Sequence, residues 1–407
     1  MRIIKLIQDR KDKLFLFKYL LLGVLIRLTL MPFTLHGDMA NMNRVTYYFT
    51  SQRYLPPSQM CYPPLAYYTM SFFQFLYKPF MPLFSFGHEI WMNSNHVFRY
   101  SFLLKSYYLI FDLGIAFLLL YLITNKKKQL LAFKLWLFNP LVIFTCYIQG
   151  QFDVLPVFFV ILSLYFVVKD KLIFSFLSLG IGAALKNFPF FFLIPALIFL
   201  GNKGKQKLKF LLLGIAPYVI FSLPYLRAPG FKNASVTSVM NLRIIRFAVH
   251  LGGVDWAYIF VIGYTLILIF AYFHNQSQSN GQAIKKLWHT ELIVLLWMYV
   301  SIYFHPHWIL WAMPFLVLFA TEDKKIRLLY WLQIICIVIY SFHWGRQLSW
   351  NPFLILDPVF FSRIRTPSQI ISLFFPRDEF INIFRSIFSG ISIWMIYKLL
   401  RMERAKF

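Results

Sequence analysis

Long apolar runs, separated by short charged stretches, dominate the chain. A helix needs about 20 apolar residues to cross a bilayer, and ten runs of roughly suitable length follow one another. A further stretch, 172–200, is too long for one helix and is broken by Lys186, Asn187 and Pro189, which predicts two short helices that meet there. The pattern predicts an all-α, polytopic transmembrane helical bundle of about twelve helices. The ten runs lie near 14–35, 101–123, 130–148, 154–168, 210–226, 256–273, 289–304, 308–320, 328–343 and 381–399.

Charges between the runs orient the predicted bundle. Lysine clusters recur in every second loop, and the N-terminal segment is also basic. The positive-inside rule therefore predicts that both termini are cytoplasmic. The run at 14–35 is long and lacks a small-residue cleavage site, so we interpret it as a retained signal anchor. The alternate loops 36–100, 227–255 and 344–380 are then on the outer face, where we expect interfacial helices.

The whole chain, 1–407, is interpreted as a single membrane domain because no stretch resembles an appended soluble module. Residues 1–200 carry most of the candidate motifs and are predicted to form a catalytic half. Residues 201–407 are predicted to form a more variable half. We expect a multi-pass protein of the plasma membrane with its active site on the outer face.

Composition supports a membrane environment and excludes an ordinary soluble domain. Hydrophobic residues make up 59% of the chain and charged residues 14%, against about 45–50% and 25% in soluble domains. The net charge of +26 is distributed between apolar runs rather than along one polar face, so we expect membrane lipids and no nucleic acid as partners. The three cysteines imply no disulfide framework.

Arginine is the main cation of the predicted outer loops, whereas lysine predominates in the cytoplasmic ones. A guanidinium group binds phosphate through two parallel hydrogen bonds. These arginines, which include Arg243 and Arg246, therefore indicate a phosphate-bearing ligand. The alternative is that they reach lipid headgroups or pair with acidic residues of the same loops.

Asp38, in the segment HGDMANMNR (36–44), is the candidate general base. It follows the first predicted helix at the membrane interface, where partial desolvation can raise the pKa of a carboxyl group. The alternative is a structural role as the N-cap of an interfacial helix that begins here. The residues alone leave both interpretations open.

Polar residues in two further segments are candidates for binding a sugar or an acceptor. Tyr62 lies in MCYPPLAYY (60–68), where it can stack on a sugar, line a prenyl chain or belong to an aromatic belt. Gln149, Gln151 and Asp153 lie at the end of the segment FNPLVIFTCYIQGQFD (138–153), on the outer side of the third predicted helix. Two amides and a carboxylate at one turn suit hydroxyl recognition, and helix capping is the alternative.

Cationic and imidazole groups at other helix ends are candidates for binding phosphate. Lys186, in ALKNFP, is costly in apolar surroundings unless it pairs with an anion, which can be a lipid phosphate or Asp153. His305 and His307, in YFHPHW, can donate hydrogen bonds to phosphate. Two histidines without a neighbouring carboxylate indicate a metal only weakly, so we predict no metal.

Asp112 lies in the middle of a predicted spanning helix, where an isolated charge is expensive. We expect a structural ion pair with an intramembrane cation. The candidates are Arg27, Lys105 and Lys134.

Taken together, these motifs resemble the GT-C superfamily of integral membrane glycosyltransferases. PFTLHGDMANMNR is similar to the first-loop acidic motif of the dolichyl-phosphate-glucose-dependent glucosyltransferases, and bacterial polyprenyl-phosphate-mannose enzymes look similar too. YPPL, FNP, GQFD and ALKNFPFFFLIP resemble further elements, in the same order, within the first 200 residues. Met39 and Ala40 follow Asp38 where the glucosyltransferase motif has Glu, so the sugar stays open.

The resemblance implies a mechanism and its participants. A polyprenyl-phosphate sugar would donate mannose or glucose to a lipid-linked or surface-glycan acceptor, with inversion and without a metal or cofactor. Asp38, or alternatively Asp153, would deprotonate the acceptor hydroxyl. The leaving phosphate would be stabilised by cations and imidazoles, for which the candidates are Lys186, Arg243, Arg246, His305 and His307.

Two other classes of membrane protein compete with this interpretation. A secondary transporter or lipid flippase would carry inverted repeats and midplane polar groups, which the sequence does not display. A polymerase or ligase that uses pyrophosphate-linked lipids would also use outer arginines. The absence of P-loop, GxGxxG, HExxH and GxSxG motifs leaves nucleotide-driven chemistry unsupported.

Overall fold

The computed structural model describes residues 10–80, 96–201, 203–228, 230–232, 238, 241–275 and 280–404. Parts of the predicted outer loops, at 81–95 and between 229 and 240, lie outside the described residues. The same holds for 276–279, in the polar cytoplasmic linker, and for both chain ends.

Helices account for nearly all of the first half of the chain. Asn139 ends one helix and starts the next, because its side-chain oxygen accepts hydrogen bonds from the N–H groups of Leu141 and Val142. The helices are α1 (Arg10–Leu30), α2 (Gly37–Gln52), α3 (Pro64–Tyr77), α4 (Val97–Ser106), α5 (Tyr108–Leu122), α6 (Lys126–Leu137), α7 (Pro140–Ile143, continued by a π-helical turn at Phe144–Ile148), α8 (Val154–Val168), α9 (Leu172–Leu185) and α10 (Phe190–Leu200).

The second half is also helical except for one antiparallel hairpin, formed by β1 (Ala248–Gly252) and β2 (Asp255–Tyr258), which the sequence pattern did not predict. Short 3₁₀ helices lie at Asn241–Ile245 and Pro306–Trp311. The α-helices are α11 (Gly204–Ser222), α12 (Ile259–Phe273), α13 (Asn280–Ser301), α14 (Met313–Ala320), α15 (Lys324–Tyr340), α16 (Arg346–Ser349), α17 (Pro358–Arg363), α18 (Pro367–Ile371) and α19 (Arg377–Arg404).

Within the described residues, five helical stretches are long and apolar enough to cross a membrane, and α8, α9, α10 and α12 are shorter apolar helices. This confirms the prediction of an all-α, polytopic membrane protein. The predicted outer loops 36–100 and 344–380 contain short helices, among them α2 and α3 in the first and α16 to α18 in the second. The five long stretches are Val97–Leu122, Lys126–Ile148, Gly204–Tyr225, Lys324–Trp344 and Arg377–Glu403.

One large apolar core connects the two halves of the bundle. Helix α8 lies at its centre and packs against α5 and α9, while α9 packs against α11. Helix α19, from the C-terminal end, packs against α13 and α15. The polar segments that join these helices at one end of the bundle are thereby held on a rigid base.

A fully buried ion pair joins the first helix to α5. Arg27 Nε donates to Asp112 Oδ2 at 2.5 Å, and both side chains are fully buried. The same carboxylate accepts hydrogen bonds from Trp136 Nε1 (2.8 Å) and Tyr147 Oη (2.6 Å). The predicted structural pairing of Asp112 is therefore present, with Arg27 as the partner.

The two other candidate partners of Asp112 have different roles. Lys105, also fully buried, donates to the carbonyl groups of Met31 and Thr34 and to Thr34 Oγ1. It thus satisfies carbonyl groups just beyond the C-terminus of α1, where a cation is favoured by the helix dipole. Lys134 lies 5.1 Å from the centre of the Tyr19 ring.

Close approach of α9 and α11 depends on glycine. A Cβ added at Gly180 would lie 2.6 Å from the carbonyl oxygen of Gly214 and 2.9 Å from Pro217 Cδ. Backbone atoms cannot move aside cheaply, so we expect Gly180→Ala to lower the free energy of unfolding by about 1–3 kcal/mol. Unfolding in mixed detergent–SDS micelles measures this.

The matched control is Gly390→Ala in α19, where no atom lies within 4 Å of the added Cβ. Alanine is the better helix former, so this variant should be neutral or more stable by up to about 1 kcal/mol. Equal effects of the two substitutions would contradict the packing argument.

Candidate active site

A cavity of about 870 Å³ opens at the end of the bundle that carries Asp38. Its wall is formed by α2, by the segment before α3, by the turn between α9 and α10, and by the segment after α13. Apolar and aromatic side chains predominate, with a few polar groups among them. The lining residues that are discussed below are Asp38, Cys61, Tyr62, Lys186, Ile244, His305, His307, Trp308 and Trp311.

Asp38 stands in the first turn of α2 rather than at its cap. The N-cap is His36, whose Nδ1 accepts from the Asp38 backbone N–H at 3.2 Å. A carboxylate in the first turn is stabilised by the helix dipole. Its side chain remains 42% exposed, so the carboxylate is accessible from the cavity, and the N-cap alternative does not apply to this residue.

Gln151, which is buried and does not line the cavity, holds the Asp38 carboxylate. Its Nε2 donates to Asp38 Oδ2 at 2.8 Å. Gly150 allows this contact, because its φ of +67° suits glycine and a Cβ there would lie 2.6 Å from Met39 Sδ. The turn thus packs tightly against the start of α2. Gln149 is fully buried, does not line the cavity, and has no hydrogen-bond partner for its amide among the described residues.

Asp153 and Lys186 form a buried ion pair behind the cavity surface. Lys186 Nζ donates to Asp153 Oδ1 at 2.7 Å, and Trp311 Nε1 donates to the same oxygen at 2.5 Å. Asp153 is fully buried and does not line the cavity, whereas Lys186 does. Lys186 thus pairs with Asp153, one of the two anions that the sequence allowed.

Three aromatic rings surround the Lys186 ammonium group. Its Nζ lies 5.1 Å from the centre of the Tyr62 ring, 5.3 Å from that of Phe152 and 5.4 Å from that of Trp311. Such contacts stabilise a cation by about 0.5–2 kcal/mol each. The sequence does not single out Phe152 or Trp311, because an aromatic residue in or beside an apolar run is indistinguishable from an ordinary core residue.

His305 and His307 lie between α13 and α14 with their ring centres 4.3 Å apart. Both line the cavity, and His305 Nδ1 and both ring nitrogens of His307 have no hydrogen-bond partner in the described part of the chain. Burial lowers the pKa of His305 to about 3 and that of His307 well below its usual range. Both rings are therefore neutral near pH 7 and offer hydrogen bonds rather than positive charge.

The two predicted arginines differ in their surroundings. Arg243 is half-buried, with its guanidinium carbon 4.8 Å from the centre of the Tyr303 ring and 5.5 Å from that of Trp308. Its Nη1 has no hydrogen-bond partner among the described residues. Its neighbour Ile244 lines the cavity. Arg246 is exposed and is not among the lining residues.

The buried state of His305 predicts a dependence of stability on pH. The unfolded chain binds a proton at this histidine below pH 6.5, whereas the folded chain binds it only near pH 3. Acid therefore favours unfolding, and at pH 5 the cost is about 2 kcal/mol. The His305→Gln variant cannot bind this proton, so between pH 7 and pH 5 it should lose less stability than the wild type, by about the same 2 kcal/mol. Equilibrium unfolding at the two pH values measures the difference. Between pH 7 and pH 8 the difference between the two proteins should stay constant, and a difference that changes there would contradict this assignment.

Among the described residues, no group of three or more His, Cys, Asp and Glu side chains is arranged to hold a metal ion. The prediction that no metal is needed stays a prediction.

Comparison with known proteins shows to which family the chain belongs. Residues 58–299, more than half of the chain, match the family described as GPI transamidase subunit PIG-U. The chain belongs to the PIG-U family. The matched segment of this PIG-U family member contains Tyr62, Asp153 and Lys186, while Asp38 lies before it and His305 after it.

Two curated relatives of this PIG-U family member are named GPI mannosyltransferase 1. The protein of Kluyveromyces lactis is 29% identical over 109 residues, which are 26% of this chain and 27% of that protein. The protein of Saccharomyces cerevisiae is 28% identical over 116 residues, 28% of each chain. The chain thus spans little more than a quarter of the length of these relatives. With the family match, they confirm the resemblance to GT-C-type membrane glycosyltransferases and a multi-pass membrane protein.

Proposed function

We propose that this member of the PIG-U family is a membrane mannosyltransferase that transfers mannose from a polyprenyl-phosphate donor to a lipid-linked acceptor of the GPI type. The observation that carries the proposal is the accessible carboxylate of Asp38, in one cavity with Lys186, His305 and His307. The names of the two relatives support mannose over glucose. The apolar part of the cavity wall suits the lipid portions of both substrates.

Asp38 is the proposed general base. Its contacts with Gln151 Nε2 and His36 Nδ1, at 2.8 Å and 3.6 Å, are both made through Oδ2. Within the described residues, Oδ1 is therefore left for the acceptor hydroxyl. As the acceptor oxygen bonds to the anomeric carbon from one side, its proton passes to Asp38. The bond from that carbon to the phosphate oxygen breaks on the other side, and the lipid phosphate leaves with the electron pair.

The same cavity supplies the groups for the leaving phosphate. Lys186 carries the charge, and its pairing with Asp153 fixes its position. The neutral rings of His305 and His307 donate hydrogen bonds, and Arg243 approaches from the adjoining segment. Preorganised donors of this kind stabilise charge that develops in a transition state. In this proposal Asp153 positions Lys186 rather than acting as the base.

The chemistry requires that the cavity faces the leaflet where donor and acceptor meet. The lysine pattern supports the outer face, with both termini cytoplasmic. The plasma membrane remains the predicted compartment. A glycosylation site inserted into 36–80, and another inserted separately at 324, test this orientation. The first should be modified if it lies on the outer face, and the second should stay unmodified.

A second candidate function follows from the family description. The family is named for a transamidase subunit, and a subunit can bind a GPI lipid in this cavity without transferring sugar. The same groups would then hold the lipid's phosphates. Binding without turnover would be its signature.

The two functions separate in one experiment. The purified protein in lipid nanodiscs is supplied with short-chain polyprenyl-phosphate mannose, or glucose, and a GPI precursor lipid, and products are followed by mass spectrometry. Mannosylated acceptor supports the transferase. Saturable binding of the GPI lipid without product from either donor overturns it in favour of the binding subunit.

A further inference from the structure

The β-hairpin between the 3₁₀ helix at Asn241–Ile245 and α12 projects from the bundle. Its strands pair through Ala248 with Tyr258, Val249 with Ala257, and His250 with Trp256. The base is closed by a hydrogen bond from the Ile259 N–H to the Phe247 carbonyl at 3.2 Å.

The hairpin exposes apolar side chains that the rest of the described molecule does not cover. Val254 at the tip is 90% exposed and Leu251 is 69% exposed. Phe247, Val249 and Trp256 are each about half exposed. A lone two-stranded hairpin is marginally stable in water, and an uncovered apolar edge promotes aggregation. A surface of apolar or amphipathic character must therefore cover it.

Continuity with α12 indicates what that surface is. Tyr258, the last residue of β2, is the N-cap of α12, so no linker separates the hairpin from this apolar helix. Val261, Ile262 and Leu266 of α12 are between 44% and 60% exposed, as expected of side chains that face lipid. The apolar surface of the hairpin thus extends the lipid-facing surface of the helix.

The unpaired backbone groups of the hairpin limit how deeply it can enter the membrane. The outer edges of a two-stranded hairpin carry N–H and C=O groups without strand partners, which the hydrocarbon core cannot satisfy. Tryptophan and tyrosine favour the headgroup level, where Trp256 and Tyr258 are available. Arg246, exposed just before the hairpin, can reach lipid phosphate from the same level.

We propose that residues 247–258 form a membrane-surface anchor, embedded at the headgroup level of the leaflet next to the cavity. The residues on its N-terminal side include Ile244, which lines the cavity. The anchor therefore holds one wall of the cavity against the lipid surface. This interaction does not depend on the proposed sugar transfer, because it needs lipid alone.

The test uses full-length protein in nanodiscs of phosphatidylcholine and phosphatidylglycerol. Val254→Cys, in a Cys61→Ser background, is labelled with an environment-sensitive fluorophore, while Cys146 and Cys336 are buried. We expect blue-shifted emission and strong quenching by lipids that carry a nitroxide near the headgroup, and weaker quenching by a nitroxide deep in the acyl chain. The matched control is Lys324→Cys, an exposed residue at the start of α15, which should show polar emission.

Two outcomes overturn the proposal. Emission at residue 254 equal to that at 324, with free access to aqueous iodide, means that the hairpin stands in water. Blue-shifted emission without quenching by either lipid nitroxide means that a protein surface, such as a second copy, covers it. As a further measurement, adding Leu251→Asp to the labelled variant should reduce lipid quenching, and unchanged quenching argues against insertion of the tip.

Discussion

Replacement of Asp38 by asparagine is expected to reduce mannosyl transfer about 10²–10⁴-fold, the usual contribution of a general base. Asparagine keeps the shape of the side chain and still accepts the hydrogen bond from Gln151, so the start of α2 should be unchanged. It cannot take a proton from the acceptor. Initial rates with polyprenyl-phosphate mannose and a GPI precursor, compared at equal amounts of monodisperse protein, measure the loss.

Two further variants are needed to interpret the loss of activity in Asp38→Asn. Asp170→Asn is the matched control, since Asp170 is exposed between α8 and α9 at the opposite end of the bundle. Its φ of +57° suits asparagine, and activity should be retained. Asp153→Asn removes the anionic partner of Lys186, so we expect weaker donor binding with a smaller loss of kcat. Full turnover by Asp38→Asn together with loss of kcat in Asp153→Asn would assign the base to Asp153.

Breaking the Arg27–Asp112 pair is expected to cause the largest loss of stability. Removing one partner of a buried ion pair typically costs about 3–5 kcal/mol. Asp112→Leu should be the more harmful substitution, because it leaves a guanidinium group that cannot lose its proton and that retains, among the described residues, only the carbonyl acceptors of Gly23 and Leu137. Arg27→Met leaves a carboxylate that Trp136 and Tyr147 still bind. Unfolding in mixed micelles compares the two.

The double variant, Arg27→Met with Asp112→Leu, separates the pair from its surroundings. With both charges gone, we expect a smaller loss than the sum of the single variants, although Trp136 and Tyr147 lose an acceptor. Glu322→Gln, in the partly exposed pair with Lys128, is the control and should cost at most about 1 kcal/mol. Strict additivity of the single variants would show that Arg27 and Asp112 do not stabilise the fold as a pair.

The helical bundle was predictable because apolar run length and charge placement are local properties. A buried carboxylate requires a nearby cation, which predicted an ion pair for Asp112 but left three candidate partners, among which the structure selects Arg27. The conformation of the Gln149–Asp153 turn was not predictable. Gly150 brings Gln151 to Asp38 and leaves Gln149 without a partner among the described residues, and the packing against Met39 decides which amide reaches the carboxylate.

Other features of the site depend on contacts between distant parts of the chain. The sequence allowed Lys186 to pair with phosphate or with Asp153, and the choice required the positions of α8, α9 and Trp311. Arg243 and Arg246 are only three residues apart, yet one packs between aromatic rings and the other is exposed. Most of the hairpin lies in the predicted outer loop 227–255, where no long periodic run marks its two short strands. Its last residues, from Trp256 to Tyr258, fall in the following predicted apolar run.

The burial of Arg27 also bears on how the protein is made. On scales of membrane insertion, an arginine at the centre of a helix costs about 2.5–3.5 kcal/mol. Arg27 stands in the last turn of α1, where the cost is smaller. Its partner Asp112 is synthesised 85 residues later, so α1 emerges from the ribosome before its charge can be neutralised. The ion pair that compensates for the buried charge therefore forms only after α5 has arrived. The N-terminal helices should leave the insertion machinery as a group, with α1 retained until the end of that step.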